Sequence, residues 1–192
     1  MPTSVEMRER TVSPYHLWSV DPFHRMAGSG LFDEADRVEL IDGELVIRAP
    51  IGSRHAFLVD WLAECLNGAP HAAFMVRVQN AVVLDDRHEP QPDIDLVRRA
   101  NYAGCHPGPA DVLLIGEVSE TTLEFDREVK LPLYAGHGIA AVWLVDVRRG
   151  DWTVYREPVE GGYHLAHQAA TSARVEPSLL PGFGIVLAER LE

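Results

Sequence analysis

Two carboxylates stand where predicted strands begin or end. Asp93 lies at the start of the short strand in QPDIDLV, and Glu117 lies at the end of the apolar run ADVLLIGEV. Hard cations such as Mg²⁺ are commonly held by one or two carboxylates with waters and substrate phosphates. Taken alone, Asp93 is better explained as the cap of a turn after Pro92, and Glu117 could mark its strand's exit into solvent. A carboxylate in so apolar a strand is costly to bury unpaired, which weakens the second explanation.

Asp126, Lys130 and Tyr134 follow Glu117 at intervals of four residues. Residues four apart share one face of a continuous helix. The spacing alone favours a surface ion pair of Asp126 with Lys130, beside a packed Tyr134. This helix begins where the Glu117 strand ends, so Lys130 could also reach back over the strand tip. There it could polarise a water or stabilise developing negative charge.

The order of predicted elements brings these residues together. Asp42-Gly43 between RVELI and ELVIR predicts a hairpin over residues 37–48. A strand in ADVLLIGEV (110–118), a helix from Leu123 to about His137 that Pro132 kinks or splits, and the buried strand AAVWLVD predict a right-handed parallel crossover. Two further helices are predicted: a short one that opens at Ser13-Pro14, and one from Ser53 to about Asn67 with Phe57 on its apolar face. The remaining predictions are one long strand in AFMVRVQNAVVLDD, a late hairpin around Gly161-Gly162 and a short strand near Gly184.

The length of 192 residues predicts a single domain over 1–192, and a hydrophobic content of 46% excludes a disordered chain. No apolar run approaches the roughly 18–20 residues that span a bilayer, and MPTSVEMRER lacks the apolar stretch of a signal peptide. We therefore expect a soluble, cytoplasmic protein without a membrane partner.

The net charge and the spacing of potential metal ligands disfavour several classes of function. The net charge of -12 argues against strong generic affinity for nucleic acid, because such affinity rests on Lys and Arg neutralising phosphates. The two cysteines lack CxxC spacing, and the histidines are scattered without ligand spacing, so a zinc or histidine metal site is not expected. Neither a GxGxxG nor a GxSxG motif is present, which disfavours dinucleotide binding and α/β-hydrolase chemistry.

The ordered set ELIDGEL, QPDIDLV, IGEVSETT, then Asp126, Lys130 and Tyr134, and finally GIAAVWLVD resembles the Uma-two family of restriction endonucleases. That family belongs to the PD-(D/E)XK nuclease superfamily. The resemblance covers roughly residues 10–185, the core of the domain. It implies an α/β restriction endonuclease-like fold, with a mixed central sheet flanked by helices, an N-terminal hairpin and a late hairpin.

The resemblance also implies the site residues. It makes Asp93 and Glu117 metal ligands. The superfamily's E-x-K lysine would fall at position 119, which is Ser119 here, whereas the family's lysine on the following helix matches Lys130. Tyr134 would position Lys130.

Several other residues are candidate or accessory members of this site. Glu44 is the preferred further acid from the hairpin and metal ligand, and Glu39 is the weaker candidate. Asp95 shares a strand face with Asp93 and could be an accessory ligand. Gln79 could line the cleft, although a strand glutamine more often bonds to neighbouring backbone. His55 could lie near the site, but packing is the favoured interpretation.

The function implied by the resemblance is Mg²⁺- or Mn²⁺-dependent endonucleolytic hydrolysis of DNA. DNA binding would be weak without metal, and a homodimer would suit cutting of both strands. Arg48, Arg54 and Arg77 could contact phosphates or be ordinary surface residues. Two alternatives remain open: a non-catalytic binding or assembly module that keeps the fold, and a metal-dependent hydrolase of another phosphorylated substrate.

Overall fold

The N-terminal hairpin forms where the Asp-Gly dipeptide predicts it. The computed structural model describes residues 16–33, 36–69 and 74–187. Strand β1 (Arg37–Ile41) pairs antiparallel with β2 (Glu44–Arg48), and Asp42 and Gly43 both have positive φ, as this tight turn requires. Helix α1 (Val20–Gly28) precedes the hairpin. Ser13 and Pro14 lie outside the described residues.

Six strands form the central sheet, in the order β3-β4-β5-β6-β7-β8. Neighbouring strands are antiparallel except β5 and β6, which are parallel and confirm the predicted crossover. The late hairpin is also confirmed, as β7 and β8. The strands are β3 (Phe74–Val78), β4 (Ile94–Arg98), β5 (Val112–Ser119), β6 (Ala141–Asp146), β7 (Asp151–Val159) and β8 (Gly162–Ala169), and two short strands, β9 (Arg174–Val175) and β10 (Ile185–Val186), form a separate pair.

Helices cover both faces of this sheet. Helix α2 (Ser53–Gly68) packs its Leu58, Trp61 and Leu62 into a core that includes Val118 of β5. Helix α4 (Leu131–Gly136) packs on the other face, where Tyr134 shares a core with Ile115. Because successive side chains of a strand point to opposite faces, Glu117 points towards α4 while Val118 points towards α2.

The crossover between β5 and β6 is helical but not uniform. It consists of α3 (Leu123–Phe125), a π-helical turn (Asp126–Lys130) and then α4. Pro132 lies in the first turn of α4, where a missing backbone N–H is least costly. The helix is therefore not split at Pro132; it changes from π-helical to α-helical just before Pro132. Such π-helical turns are frequently found at functional sites.

Two expectations fail. The single long strand predicted in AFMVRVQNAVVLDD is wrong, because β3 ends at Val78 and Gln79 adopts a positive φ that breaks the extended conformation. Phe57 lies half exposed rather than on the buried face of α2.

Within the described residues, no helix has both the length and the apolar character needed to cross a bilayer.

Candidate active site

Glu117 lies at the centre of a buried polar cluster at the end of β5. Its Oε1 accepts hydrogen bonds from Lys130 Nζ at 3.0 Å and Tyr134 Oη at 2.6 Å. Its Oε2 is buried and has no hydrogen-bond partner among the described residues. Glu117 does not mark the exit of the strand into solvent, since its exposed fraction is only 1%.

Lys130 links Glu117 to the N-terminal hairpin. Its Nζ also donates to Glu39 Oε1 at 2.9 Å, and its side chain is completely buried. Asp126 and Tyr134 are buried as well. The surface ion pair that the spacing favoured is therefore not formed, and all three side chains of the helix turn inward.

Asp93 is held by groups from three different elements. Its Oδ2 accepts the backbone N–H of Val118 at 2.9 Å and lies 3.1 Å from His55 Nε2. Its Oδ1 accepts a long hydrogen bond from Gln79 Nε2 at 3.4 Å and lies 3.7 Å from Arg37 Nη2. Gln79 thus contacts the candidate site, and the buried His55 faces Asp93 rather than only packing. The bond to Val118 fixes Asp93 beside the strand residue that follows Glu117.

Asp126 organises the turn that leads from β5 into the helix. Its Oδ2 accepts hydrogen bonds from Ser119 Oγ at 2.7 Å and Thr122 Oγ1 at 2.6 Å. Its Oδ1 faces Arg48 Nη1 at 3.6 Å. Ser119, at the position of the superfamily's lysine, therefore anchors the π-helical turn, and that turn delivers the ammonium of Lys130 to Glu117 instead.

The surroundings of Glu117 and Asp93 shift the pKa values of these two acids in opposite directions. Burial, together with the negative charges of Asp126 and Asp93, raises the pKa of Glu117 to about 7, although Lys130 opposes the rise. Burial also acts against ionisation of Asp93, but His55 and the Val118 N–H outweigh it and lower the pKa of Asp93. Asp93 is thus a carboxylate at neutral pH, while Glu117 exchanges a proton near it. Burial beside Glu117 raises the pKa of Tyr134 well above its ordinary value, so its hydroxyl remains a donor.

The structure reverses the order of preference between the two hairpin acids. Glu39 is fully buried and contacts Lys130, and its Oε2 lies 3.4 Å from Arg48 Nη1. The side chain of Glu44 is exposed and makes no hydrogen bond or ion pair to another described residue, because Glu44 directly follows the turn at the hairpin's tip. The expectation that Glu44 joins the site is therefore corrected in favour of Glu39.

Asp95 is buried but lies apart from this cluster. Its charged neighbour is Arg77, whose Nη1 is 3.4 Å from Asp95 Oδ2 and which lies opposite it across β3 and β4. Neither carboxylate oxygen of Asp95 has a hydrogen bond to a described residue. Burial raises its pKa to about 7 against the influence of Arg77. Arg77 is thus engaged with Asp95, and the structure gives Asp95 no contact with Asp93 or Glu117.

A family model described as Uma2, "Putative restriction endonuclease", matches residues 20–188. The chain belongs to the Uma2 family. The crystal structure of "a putative nuclease belonging to DUF820 from Anabaena variabilis" superposes with a TM-score of 0.64 at 16% identity, over 79% of this chain and 88% of that one. This likeness confirms the restriction endonuclease-like fold. None of the curated proteins compared with the sequence matches it.

In this Uma2 protein, a groove opens over the buried acids. It is a cavity of about 300 Å³ whose lining includes Arg37, Arg48, His55, Val118, Glu120, Thr121 and Thr122. Arg37 and Arg48 face each other across the hairpin, and Arg37 Nη2 has no hydrogen-bond partner among the described residues. Arg37 was not among the predicted site residues, although the register set by Asp42-Gly43 places it opposite Arg48. Arg54 is exposed and does not line this groove.

The buried acids of the Uma2 site fit a hard divalent cation. Asp93 and Glu117 offer carboxylate oxygens, which Mg²⁺ and Mn²⁺ prefer. Lys130 and Tyr134 occupy Oε1 of Glu117 and leave Oε2 without a partner, so this buried oxygen has a lone pair to donate. An unpaired buried carboxylate oxygen is costly, and a bound cation would remove that cost.

The structure brings histidines together with acids, although the residue spacing did not predict a histidine metal site. Two groups of three potential ligand side chains converge in the described part of the chain: His24 with Glu89 and His106, and Asp85 with His88 and His137. Each group contains at least one member that lies far from the others in sequence, so ligand spacing could not indicate the complete groups.

Proposed function

We propose that this protein is a DNA endonuclease that hydrolyses phosphodiester bonds with Mg²⁺ or Mn²⁺. The observation that carries the proposal is the free, buried Oε2 of Glu117 beside Asp93, beneath a groove lined by two arginines. Buried acids at the base of an arginine-lined groove suit a substrate that is anionic and bridged by metal. A homodimer, with one site for each strand of a duplex, belongs to this proposal.

Asp93 and Glu117 would hold the metal ion, and Glu39 would support them through Lys130. A bound Mg²⁺ or Mn²⁺ supplies Lewis acidity and lowers the pKa of water. His55 and the Val118 N–H keep Asp93 ionised and oriented towards this position.

Lys130 acts in this proposal as a positioning residue. Its Nζ is shared between Glu39 and Glu117 and has no exposed surface, so contact with substrate or with an attacking water would require the cluster to open. This differs from the sequence-based expectation, in which Lys130 orients the water directly. Lys130 and Tyr134 instead fix the rotamer of Glu117, so that its Oε2 stays available to the metal ion. Arg37 and Arg48 supply the charge that contacts phosphate in the groove.

Activity assays with the full chain test the proposal. Single-stranded, double-stranded and branched DNA are incubated with the protein in Mg²⁺, in Mn²⁺ and in EDTA. We expect weak DNA binding in EDTA, cleavage with either metal, and a loss of cleavage of about 100-fold or more in Asp93→Ala and Glu117→Ala. Glu44→Ala, which removes an exposed acid of the same hairpin, is the matched control and retains cleavage. Sedimentation measures the oligomeric state.

The results separate catalysis from other roles. Lys130→Ala should abolish cleavage while leaving metal binding largely intact in calorimetry at a pH high enough to ionise Glu117, because an ammonium group has no lone pair for a metal ion. Wild-type protein that is inert on all three DNAs with both metals would support a non-catalytic binding module. Cleavage that survives both acid substitutions would show that the site is elsewhere.

A further inference from the structure

A second polar cluster lies at the other end of the helix that presents Tyr134. Asp85 and His88 flank a tight turn in the loop between β3 and β4, and His137 follows the last residue of α4. Asp85 Oδ1 lies 2.7 Å from His88 Nδ1, and Asp85 Oδ2 lies 3.0 Å from His137 Nε2. The three potential ligand atoms all lie within 4.8 Å of one another. Two imidazoles and a carboxylate are a donor set typical of Zn²⁺ sites that keep an open position.

The contacts of His137 leave a place for a metal ion in this cluster. His137 Nδ1 lies 2.8 Å from the backbone oxygen of Leu133, and a carbonyl oxygen can only accept, so Nδ1 carries a hydrogen. In a neutral imidazole the lone pair is then on Nε2, which faces the carboxylate of Asp85 at 3.0 Å. Either a hydrogen or a metal ion must lie between these two atoms.

The surroundings favour a metal ion because the ligands are already held in place. The contact between His137 Nδ1 and the Leu133 carbonyl is the kind of bond that orients histidines at metal sites. Asp85 Oδ1 accepts the N–H of Arg87 at 2.7 Å, and the His88 carbonyl accepts the N–H of the buried Leu84.

The group of His24, Glu89 and His106 contains no imidazole nitrogen that must act as an acceptor beside a carboxylate oxygen. His24 Nε2 can donate to Glu89 Oε2 at 2.6 Å with a neutral ring, and His106 Nε2 lies 3.9 Å from Glu89 Oε1.

We propose that Asp85, His88 and His137 bind a divalent transition-metal ion of the Zn²⁺ class, with a fourth position open to water. The side chain of Asp85 is 46% exposed, which leaves room for that water. The ion links the loop between β3 and β4 to the C-terminal end of α4. Leu84 and Tyr134 belong to the same hydrophobic core, so the ion would brace the helix that presents Tyr134 to the candidate active site. This site is separate from Asp93 and Glu117, and neither proposal depends on the other.

Calorimetric titration of the untagged full chain with Zn²⁺ tests the proposal. We expect Asp85→Asn and His137→Gln to weaken Zn²⁺ binding by about 10–100-fold or more, since the loss even of an outer partner of a ligand costs that much. His164→Gln, which changes an exposed histidine of β8, and His24→Gln, which changes the other group, are the matched controls and leave affinity unchanged.

Nuclear magnetic resonance of the wild-type protein labelled with ¹⁵N at histidine gives a second readout that no substitution can compromise. Zn²⁺ should shift the ring nitrogens of His88 and His137 and leave those of His164 in place. Titration that moves only His24 and His106, or affinity that survives both Asp85→Asn and His137→Gln, would overturn the proposal. Absence of Zn²⁺ binding would also overturn it and identify the cluster as an imidazolium–carboxylate pair.

Discussion

Replacing Lys130 by methionine tests how the buried cluster is held together. Lys130 is the chain's only lysine, and its Nζ lies 2.9 Å from Glu39 and 3.0 Å from Glu117. Methionine keeps much of the apolar stem but removes the charge, which leaves two buried carboxyl groups without their shared cation. Breaking a buried ion pair by removing one partner typically costs about 3–5 kcal/mol. We expect Lys130→Met to lower the free energy of unfolding by that amount above neutral pH.

The loss should depend on pH, because the carboxyl group of Glu117 can take up a proton instead. In the wild-type protein the pKa of Glu117 is raised from 4.5 to about 7, which corresponds to about 3 kcal/mol of stability lost as pH rises through that interval. Lys130 opposes this rise, so its removal moves the pKa of Glu117 higher still. The folded variant then binds more protons than the unfolded chain over a wider range. Its stability deficit is therefore small at mildly acidic pH and grows as pH rises above 7.

Urea unfolding of both proteins at several pH values between about 5 and about 9 measures this difference. Arg127→Met, in the same π-helical turn but exposed, is the matched control and should change stability by less than about 0.5 kcal/mol at every pH. A deficit in Lys130→Met that is small, or that stays constant with pH, would refute the buried-bridge assignment. Amine-directed labelling gives an independent check, since the sole lysine should react only after unfolding.

Three further outcomes follow from the same contacts. Mn²⁺ affinity in calorimetry should rise as pH passes through about 7, because Glu117 must lose its proton to bind the ion; affinity that is constant with pH would contradict this. Tyr134→Phe removes one of two donors to Glu117 Oε1, so urea unfolding should show a loss of about 1–3 kcal/mol. Glu39→Gln should reduce both unfolding free energy and DNA cleavage, whereas Glu44→Gln should leave both unchanged; equal effects would show that the hairpin acids are assigned wrongly.

Local signals predicted the elements that build the candidate site. The dipeptide Asp42-Gly43 predicted the hairpin and its register, because a two-residue turn with positive φ at both positions favours these residue types. The apolar run ending at Glu117 and the second apolar strand gave the parallel pair β5 and β6. Each of these predictions depends on a few neighbouring residues, where turn chemistry and alternation dominate.

Long-range contacts decided what the sequence could not. Both Glu39 and Glu44 lie in the hairpin, and only the folded structure distinguishes them, by burying Glu39 against Lys130, 91 residues away. The helix spacing of Lys130 suggested a surface pair, because spacing carries no information on which face the sheet will cover. His137 likewise meets Asp85 only through the packing of α4 against the loop between β3 and β4.

The net charge of -12 and a DNA substrate are compatible once burial is considered. The acids of the cluster are almost fully buried, while Arg37 and Arg48 line the groove above them. Burial disfavours the charge on Arg48, but Glu39, Glu117, Asp126 and Asp93 outweigh it and raise its pKa, so it stays charged. Charges on the distant surface are screened beyond about 8–10 Å at physiological salt. If the protein acts on DNA as proposed, the negative surface would slow the approach of DNA, whereas the groove arginines and a bound cation would determine the energy of the bound phosphate.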